Sequence, residues 1–216
     1  MNDRATWTEV SDLDSLTALL GEPTPAVRDK VRHELTDVDV DWLRSSPFCV
    51  LATTSADGEC DASPKGDPAG QLVHVIDERT IALAERPGNR RADGYRNVLQ
   101  NPGVGLVFLI PGRGDTLRVN GRARLVSDAP FFDEMVVKGH RPVLALVIEV
   151  GEVFHHCQKA FLRSRIWDPE SWDPESRVPR RAVLAQRLER PEATIEELDE
   201  YYGPSYADGL YRGPVA

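Results

Sequence analysis

The chain has 216 residues and a formal net charge of −9. A field of that sign repels polyphosphate chains, so nucleic acid is not an expected partner and any basic patch is a local exception. One well-filled core fits the length. The three cysteines, Cys49, Cys60 and Cys157, form no paired framework, which fits a reducing, cytoplasmic setting. The opening residues MNDRATWTEVSDLDSL lack the basic and apolar blocks of a signal peptide, and no apolar run reaches the ~18 residues a bilayer span needs. No membrane partner is expected.

Residues 11–45 read as short helices. Leu13, Leu16, Leu19 and Leu20 recur at helical spacing up to Gly21 and Pro23, Thr24-Pro25 opens a second helix through Val27, Val31 and Leu35, and a third around Val40, Trp42 and Leu43 stops at SSP. Strand patterns begin at Phe48. FCVLATTS is apolar and β-branched, ADG at 56–58 is a hairpin turn, and ECDASPKGD starts as the returning strand before proline and glycine interrupt it. QLVHVID and TIALAE flank ER as another hairpin, and VGLVFLI and TLRVNGRARLV flank PGRGD. PVLALVIEVGEVFHH is a long last strand with Gly151 as a candidate bulge. Residues 90–100 and 129–138 read as helical insertions. Hairpin-linked strands point to a mainly β antiparallel barrel with helical decoration, since a parallel sheet needs a helix between most successive strands. In the tail, WDPES occurs twice, at 167–171 and 172–176, where Asp-Pro favours turns, and EATIEELDEYYG reads as a short acidic helix.

Few segments carry chemistry. VFHHCQKAFLRSR clusters histidines and a cysteine, but His155 and His156 are strand neighbours that point to opposite faces, and His33, His74 and His140 are scattered, so structural or solvent-facing roles come ahead of a metal site. GNRRADGYRN is a glycine loop entering a helix, with Asn89, Arg90 and Arg91 expected in its first turn. Free N–H groups, the dipole end and two guanidiniums there suit a phosphate, and a solvated basic turn is the other reading. In SPKGD, Ser63 offers a hydroxyl, Lys65 a charge, and Gly66 a close backbone approach; Lys65 and Lys159 are two of only four lysines. DTLRVNGRAR alternates apolar Leu117 and Val119 with Thr116, Arg118 and Asn120, giving a polar face for water or a ligand. Neither a G-x-S-x-G elbow nor a G-x-G-x-x-G fingerprint is present, and no catalytic acid, base or nucleophile can be named.

Taken in order, FCVLATT, ADGECDASPKGD, RPGNRRADGYRNVLQNPGVGLVFLIPG, TLRVNGRAR and VFHHCQKAFLRSRIWDP resemble the pyridoxamine 5'-phosphate oxidase-like FMN-binding split barrels, over roughly residues 40–168. Within that class these segments look like the probable FMN-dependent enzymes; the arginine-leucine-histidine segment that the authentic oxidases carry near their C-terminus is not found, so pyridoxal phosphate is not the expected product. The resemblance implies a six-stranded antiparallel split barrel over 46–168, with a helical segment at 1–45 packed on it and a turn-rich and helical extension at 169–216. It implies a homodimer with FMN at the subunit interface, and an oxidoreductase exchanging a hydride between a nicotinamide or other reductant and an unknown small molecule. The alternatives are a flavin-binding module without turnover, or a deazaflavin- or haem-binding relative. By resemblance the flavin lies along Ser63, Pro64, Lys65 and Gly66, its phosphate sits at Asn89, Arg90 and Arg91, Thr116 and Arg118 fall where the oxidases place a partner-subunit glutamine, and Lys159, Ser164 and Trp167 lie on the helix beside the flavin.

Overall fold

The computed structural model describes residues 6–173 and 178–211. In chain order these form α1 (Leu13–Leu20), α2 (Pro25–Arg28), α3 (Asp37–Ser45), β1 (Phe48–Thr54), β2 (Cys60–Gly66), β3 (His74–Asp77), β4 (Thr80–Ala84), α4 (Asp93–Gln100), β5 (Gly103–Leu109), β6 (Thr116–Val126), a 3-10 turn (Pro130–Met135), β7 (Ala145–His156), α5 (Lys159–Ser164), a 3-10 turn (Pro169–Ser171), α6 (Arg181–Leu188), α7 (Ile195–Tyr201) and α8 (Ser205–Asp208). Of the described residues, those up to Val31 form one compact unit and those from Arg32 onward a second. In the first, Asp12 caps α1 by accepting the Ser15 N–H at 2.7 Å, and Gly21, at φ +76, ends the helix. Helix α2 stops at Arg28, so the helix expected to run on through Val31 and Leu35 is shorter; Arg32 instead pairs with the backbone of Val153 on β7.

All seven strands belong to one antiparallel sheet in the order β2-β1-β5-β6-β7-β4-β3. The count differs from the six strands that the resemblance implies and matches the seven strand segments read from the sequence; β2 and β3 are edges that do not pair with each other, so the sheet is not closed. The three expected hairpins are present as β1-β2, β3-β4 and β5-β6. The long β6-β7 pair is the spine. Residues 117–122 of β6 also pair with β5, and residues 145–149 of β7 also pair with β4, so two half-sheets diverge from this spine. The register skips Gly151, which stands as the extra residue of a bulge opposite the Asn120–Gly121 step.

Strand β2 runs through Pro64 and Gly66 without the expected interruption. The reason is its place in the sheet: Pro64 pairs with Val50 on one side only, and an edge strand tolerates the missing N–H. The main core gathers Leu51, Ile81, Leu106, Phe108, Leu117 and Ile148 from the sheet with Trp42 and Leu43 of α3 and Tyr95 and Val98 of α4. Each fully buried side chain of this kind contributes roughly 1.5–3 kcal/mol relative to exposure. A second cluster packs Phe132 and Met135 of the first 3-10 turn against Ala82, Ala145 and Val147. The insertion at 129–138 is 3-10 rather than α over Pro130–Met135, and its three-residue turn puts Phe132 and Met135 on one face. The first WDPES copy ends in the second 3-10 turn; most of the second copy lies outside the described residues. Helix α7 matches the acidic expectation, with Thr194 and Glu197 forming a capping box. Helix α6 carries no expectation from periodicity, and it buries Ala182 and Ala185 against Leu198. Among the described residues no helix is long and apolar enough to cross a membrane.

Candidate functional site

Side chains along β2 alternate. Asp61, Ser63 and Lys65 are half-buried, whereas Cys60, Ala62, Pro64 and Gly66 are exposed. Their partners on β1 are the buried Thr53, Leu51 and Cys49, so the edge strand extends the core face with an acid, a hydroxyl and an amine. Opposite this strand lies the chain leaving β4 and entering α4. Between them is a cleft of about 460 Å³, lined by 63–66 on one wall and by Glu85, Arg86 and residues 88–95 on the other. That volume lies in the range of small-molecule sites, roughly 300–1,000 Å³. Helix α4 is tied down by Asn97, whose Nδ2 donates to Thr53 Oγ1 at 3.1 Å, and by Gly94, whose missing Cβ would stand 3.4 Å from Asp61 Oδ2.

The turn before α4 is unusual. Arg90 (φ 61) and Ala92 (φ 55) both occupy the left-handed region, which residues bearing a Cβ seldom adopt and which is often held in place at functional sites. Asn89 Oδ1 accepts the Arg91 N–H at 3.0 Å. The helix starts only at Asp93, and no side chain caps it. Asn89, Arg90 and Arg91 thus precede the first turn instead of forming it, because the left-handed Ala92 takes the chain off the helical path. The Arg91 guanidinium bonds to Asp93. Arg90 is exposed at the cleft and has neither a hydrogen bond nor an ion pair among the described residues.

Three side chains meet on the cleft floor. Lys65 Nζ lies 3.4 Å from Tyr95 Oη, 3.7 Å from Glu85 Oε2 and 4.7 Å from the Tyr95 ring centre. The Tyr95 hydroxyl donates to Glu85. Burial, then the Glu85 hydrogen bond and charge, push the Tyr95 pKa far above its ordinary value, so the phenol stays a donor. Burial pushes the neighbouring Cys49 thiol up to about 12, partly opposed by Lys65, and leaves it unreactive. At the next corner, Arg86 Nε donates to the buried Asp67 at 2.6 Å and Arg86 also bonds the Met135 carbonyl at 3.0 Å, while the Tyr211 hydroxyl donates to Asp67 at 2.8 Å. Sequence reasoning missed Asp67, Glu85, Arg86, Tyr95 and Tyr211. Tyr95 occupies an apolar-period position of α4, and nothing local marks the others.

The structure brings together Ser63, Pro64, Lys65, Gly66, Asn89, Arg90 and Arg91 on one cleft. It places the other candidates elsewhere in the protomer. Thr116 is buried and pairs with His156, and Arg118 lies over the Phe154 ring at 4.9 Å. Lys159 and Ser164 are exposed on α5, and Trp167 stacks on Phe161 and donates to the Arg113 carbonyl at 2.6 Å. His155 packs edge-on against Trp42 and sits 3.3 Å from Asp39, which accounts for it structurally.

The family model described as pyridoxamine 5'-phosphate oxidase matches residues 35–157, more than half of the chain and all seven strands. The chain belongs to the pyridoxamine 5'-phosphate oxidase family. The matched span contains every residue that lines the cleft, while Tyr211, which bonds Asp67 at its corner, lies beyond it. Among solved structures, HupZ of Group A Streptococcus is 17% identical with a TM-score of 0.46, over 58% of this chain and 95% of that one. A protein from Lactobacillus delbrueckii described as a putative pyridoxamine 5'-phosphate oxidase is 24% identical with a TM-score of 0.45, over 57% and 95%. An FMN-binding protein from Syntrophomonas wolfei is 13% identical with a TM-score of 0.41, over 55% and 80%. No curated protein matches the chain.

Proposed function

We propose that this family member binds FMN in the cleft between β2 and α4 and acts as a flavin-dependent oxidoreductase on a small molecule. The observation that carries the reading is the convergence of two segments distant in sequence, 63–66 and 89–91, on one cavity of ligand size. The residues fit the cofactor. Arg90 has neither a hydrogen bond nor an ion pair among the described residues, and it stands in a left-handed turn at the cleft, which suits a phosphate. The edge-strand backbone at Pro64 and Gly66, with Lys65 beneath, suits a flat polar ring. A bound flavin would supply the hydride chemistry; the protein's part is to bind, orient and tune it.

The reading includes a homodimer. Thr116, Arg118, Lys159, Ser164 and Trp167 lie outside the protomer's own cleft, and α5 with its flank exposes Leu162 (63%) and Ile166 (45%), apolar surface that a second copy would cover. The test is the absorbance of the purified protein and its titration with FMN. A band near ~450 nm from co-purified or added flavin supports the reading, as expected of the cofactor's own chemistry. A colourless protein that leaves added FMN fluorescence unchanged overturns it. Light scattering that returns a monomer mass overturns the dimer.

A further inference from the structure

The cleft floor holds a charge arrangement that sequence spacing does not show. Lys65, Glu85 and Tyr95 come from β2, the end of β4 and α4, and they meet within 3.4–3.7 Å of the ammonium. Tyr95 is 7% exposed, so its ring is fixed. Because its O–H is given to Glu85, its oxygen is left to accept from Lys65. The ring adds a cation–π contact at 4.7 Å. A lysine on an edge strand is ordinarily a mobile, hydrated charge; this one is held at one point. Glu85 also lines a second cavity of about 400 Å³ on the side of His140 and Val143.

We propose that Glu85 and Tyr95 are positioning residues which hold Lys65 and set the net charge beneath the bound flavin; this rests on the flavin reading above. Lys65 supplies a positive charge, and Glu85 cancels part of its field on the ligand. FMN carries a phosphate dianion, and its two-electron reduced ring is an anion near neutral pH. Both quantities therefore respond to the sign of the charge removed: deleting Lys65 weakens binding and disfavours the reduced ring, whereas neutralising Glu85 does the reverse. A purely structural cluster would respond in the same direction to either change, since each removes a packing partner.

The experiment titrates FMN into full-length Lys65→Met, Glu85→Gln and Tyr95→Phe by fluorescence quenching and measures the midpoint potential of the bound flavin. Expected Kd values are about tenfold higher for Lys65→Met, about threefold lower for Glu85→Gln and about threefold higher for Tyr95→Phe. The potential falls in the first and rises in the second. Circular dichroism melts check folding, and Lys65→Arg, which keeps the charge, recovers most of the affinity if Lys65→Met fails to fold. Weakened FMN binding in Glu85→Gln, or equal values throughout, overturns the proposal. If the wild-type protein does not quench FMN, the flavin reading fails. The same variants are then titrated calorimetrically with inorganic pyrophosphate, where opposite effects of Lys65→Met and Glu85→Gln support the charge arrangement, and equal effects or no binding overturn it.

Discussion

Gly121 on β6 faces the backbone of Glu149 on β7 so closely that a Cβ atom there would stand 2.1 Å from the Glu149 carbonyl oxygen. The contact lies beside the Gly151 bulge, where the spine changes register and the two half-sheets part. No rotamer relieves a clash between a Cβ and a main-chain carbonyl, so the spine itself has to move. Gly121→Ala is expected to destabilise by about 3 kcal/mol or more, at the top of the overpacking range. Gly151→Ala is the control: its Cβ would meet its nearest neighbour at 3.5 Å, ordinary contact, and a loss below about 1 kcal/mol is expected. Urea denaturation of the two variants separates these outcomes, and equal losses would contradict the close approach.

The ion pair between Arg32 and Asp39 sets a limit at low pH. Burial works to raise the Asp39 pKa, but hydrogen bonds from Arg32 and Thr36 outweigh it and hold the carboxyl at about 2. A depressed folded-state value means the contribution is complete above the unfolded value of 3.8 and is lost as pH falls through about 2. The shift corresponds to about 2 kcal/mol. Unfolding free energy measured from pH 5 to 2 is expected to decline by about that amount, and Asp39→Asn to flatten the decline while lowering stability at neutral pH. An unchanged slope in the variant would show that another carboxyl carries the effect.

The two arginines before α4 are not equivalent. Arg91 is already bonded to Asp93, whereas Arg90 has no partner among the described residues. Under the flavin reading, Arg90→Ala is expected to raise the FMN Kd by about tenfold or more, with a smaller effect for Arg91→Ala, because a charge-assisted hydrogen bond is worth roughly 1.5–3 kcal/mol. Fluorescence titration measures both. Unchanged affinity in the double variant would place the phosphate elsewhere.

The three cysteines should react in two classes. Cys60 and Cys157 are exposed, while Cys49 is buried and its thiol is pushed up to about 12. Mass spectrometry after brief treatment with a maleimide at pH 7 is expected to find two labels on the native protein and three after denaturation. Prompt native labelling of Cys49 would mean that β1 and β2 part readily at the sheet edge.

Much of the architecture is legible in local pattern. Apolar and β-branched runs mark β1, β5 and β6 to within a residue and open β7 three residues early, because such runs fit a strand packed on the core. The turn glycines and the bulge at Gly151 follow from the same logic. What local pattern misstates is context. Pro64 reads as an interruption until β2 is known to be an edge, and residues 89–91 read as a first helical turn until Ala92 is seen in the left-handed region.

By itself, the sequence determines an antiparallel sheet of hairpins with helical insertions, a basic turn at 89–91 and a polar strand at 63–66, since each depends on neighbours a few positions apart. Only the tertiary structure decides that these two segments share a cleft, and that Glu85 and Tyr95 close around Lys65. Those contacts join β2 to the end of β4 and to α4. They arise from packing all three against one core, and no periodicity within a single segment encodes them.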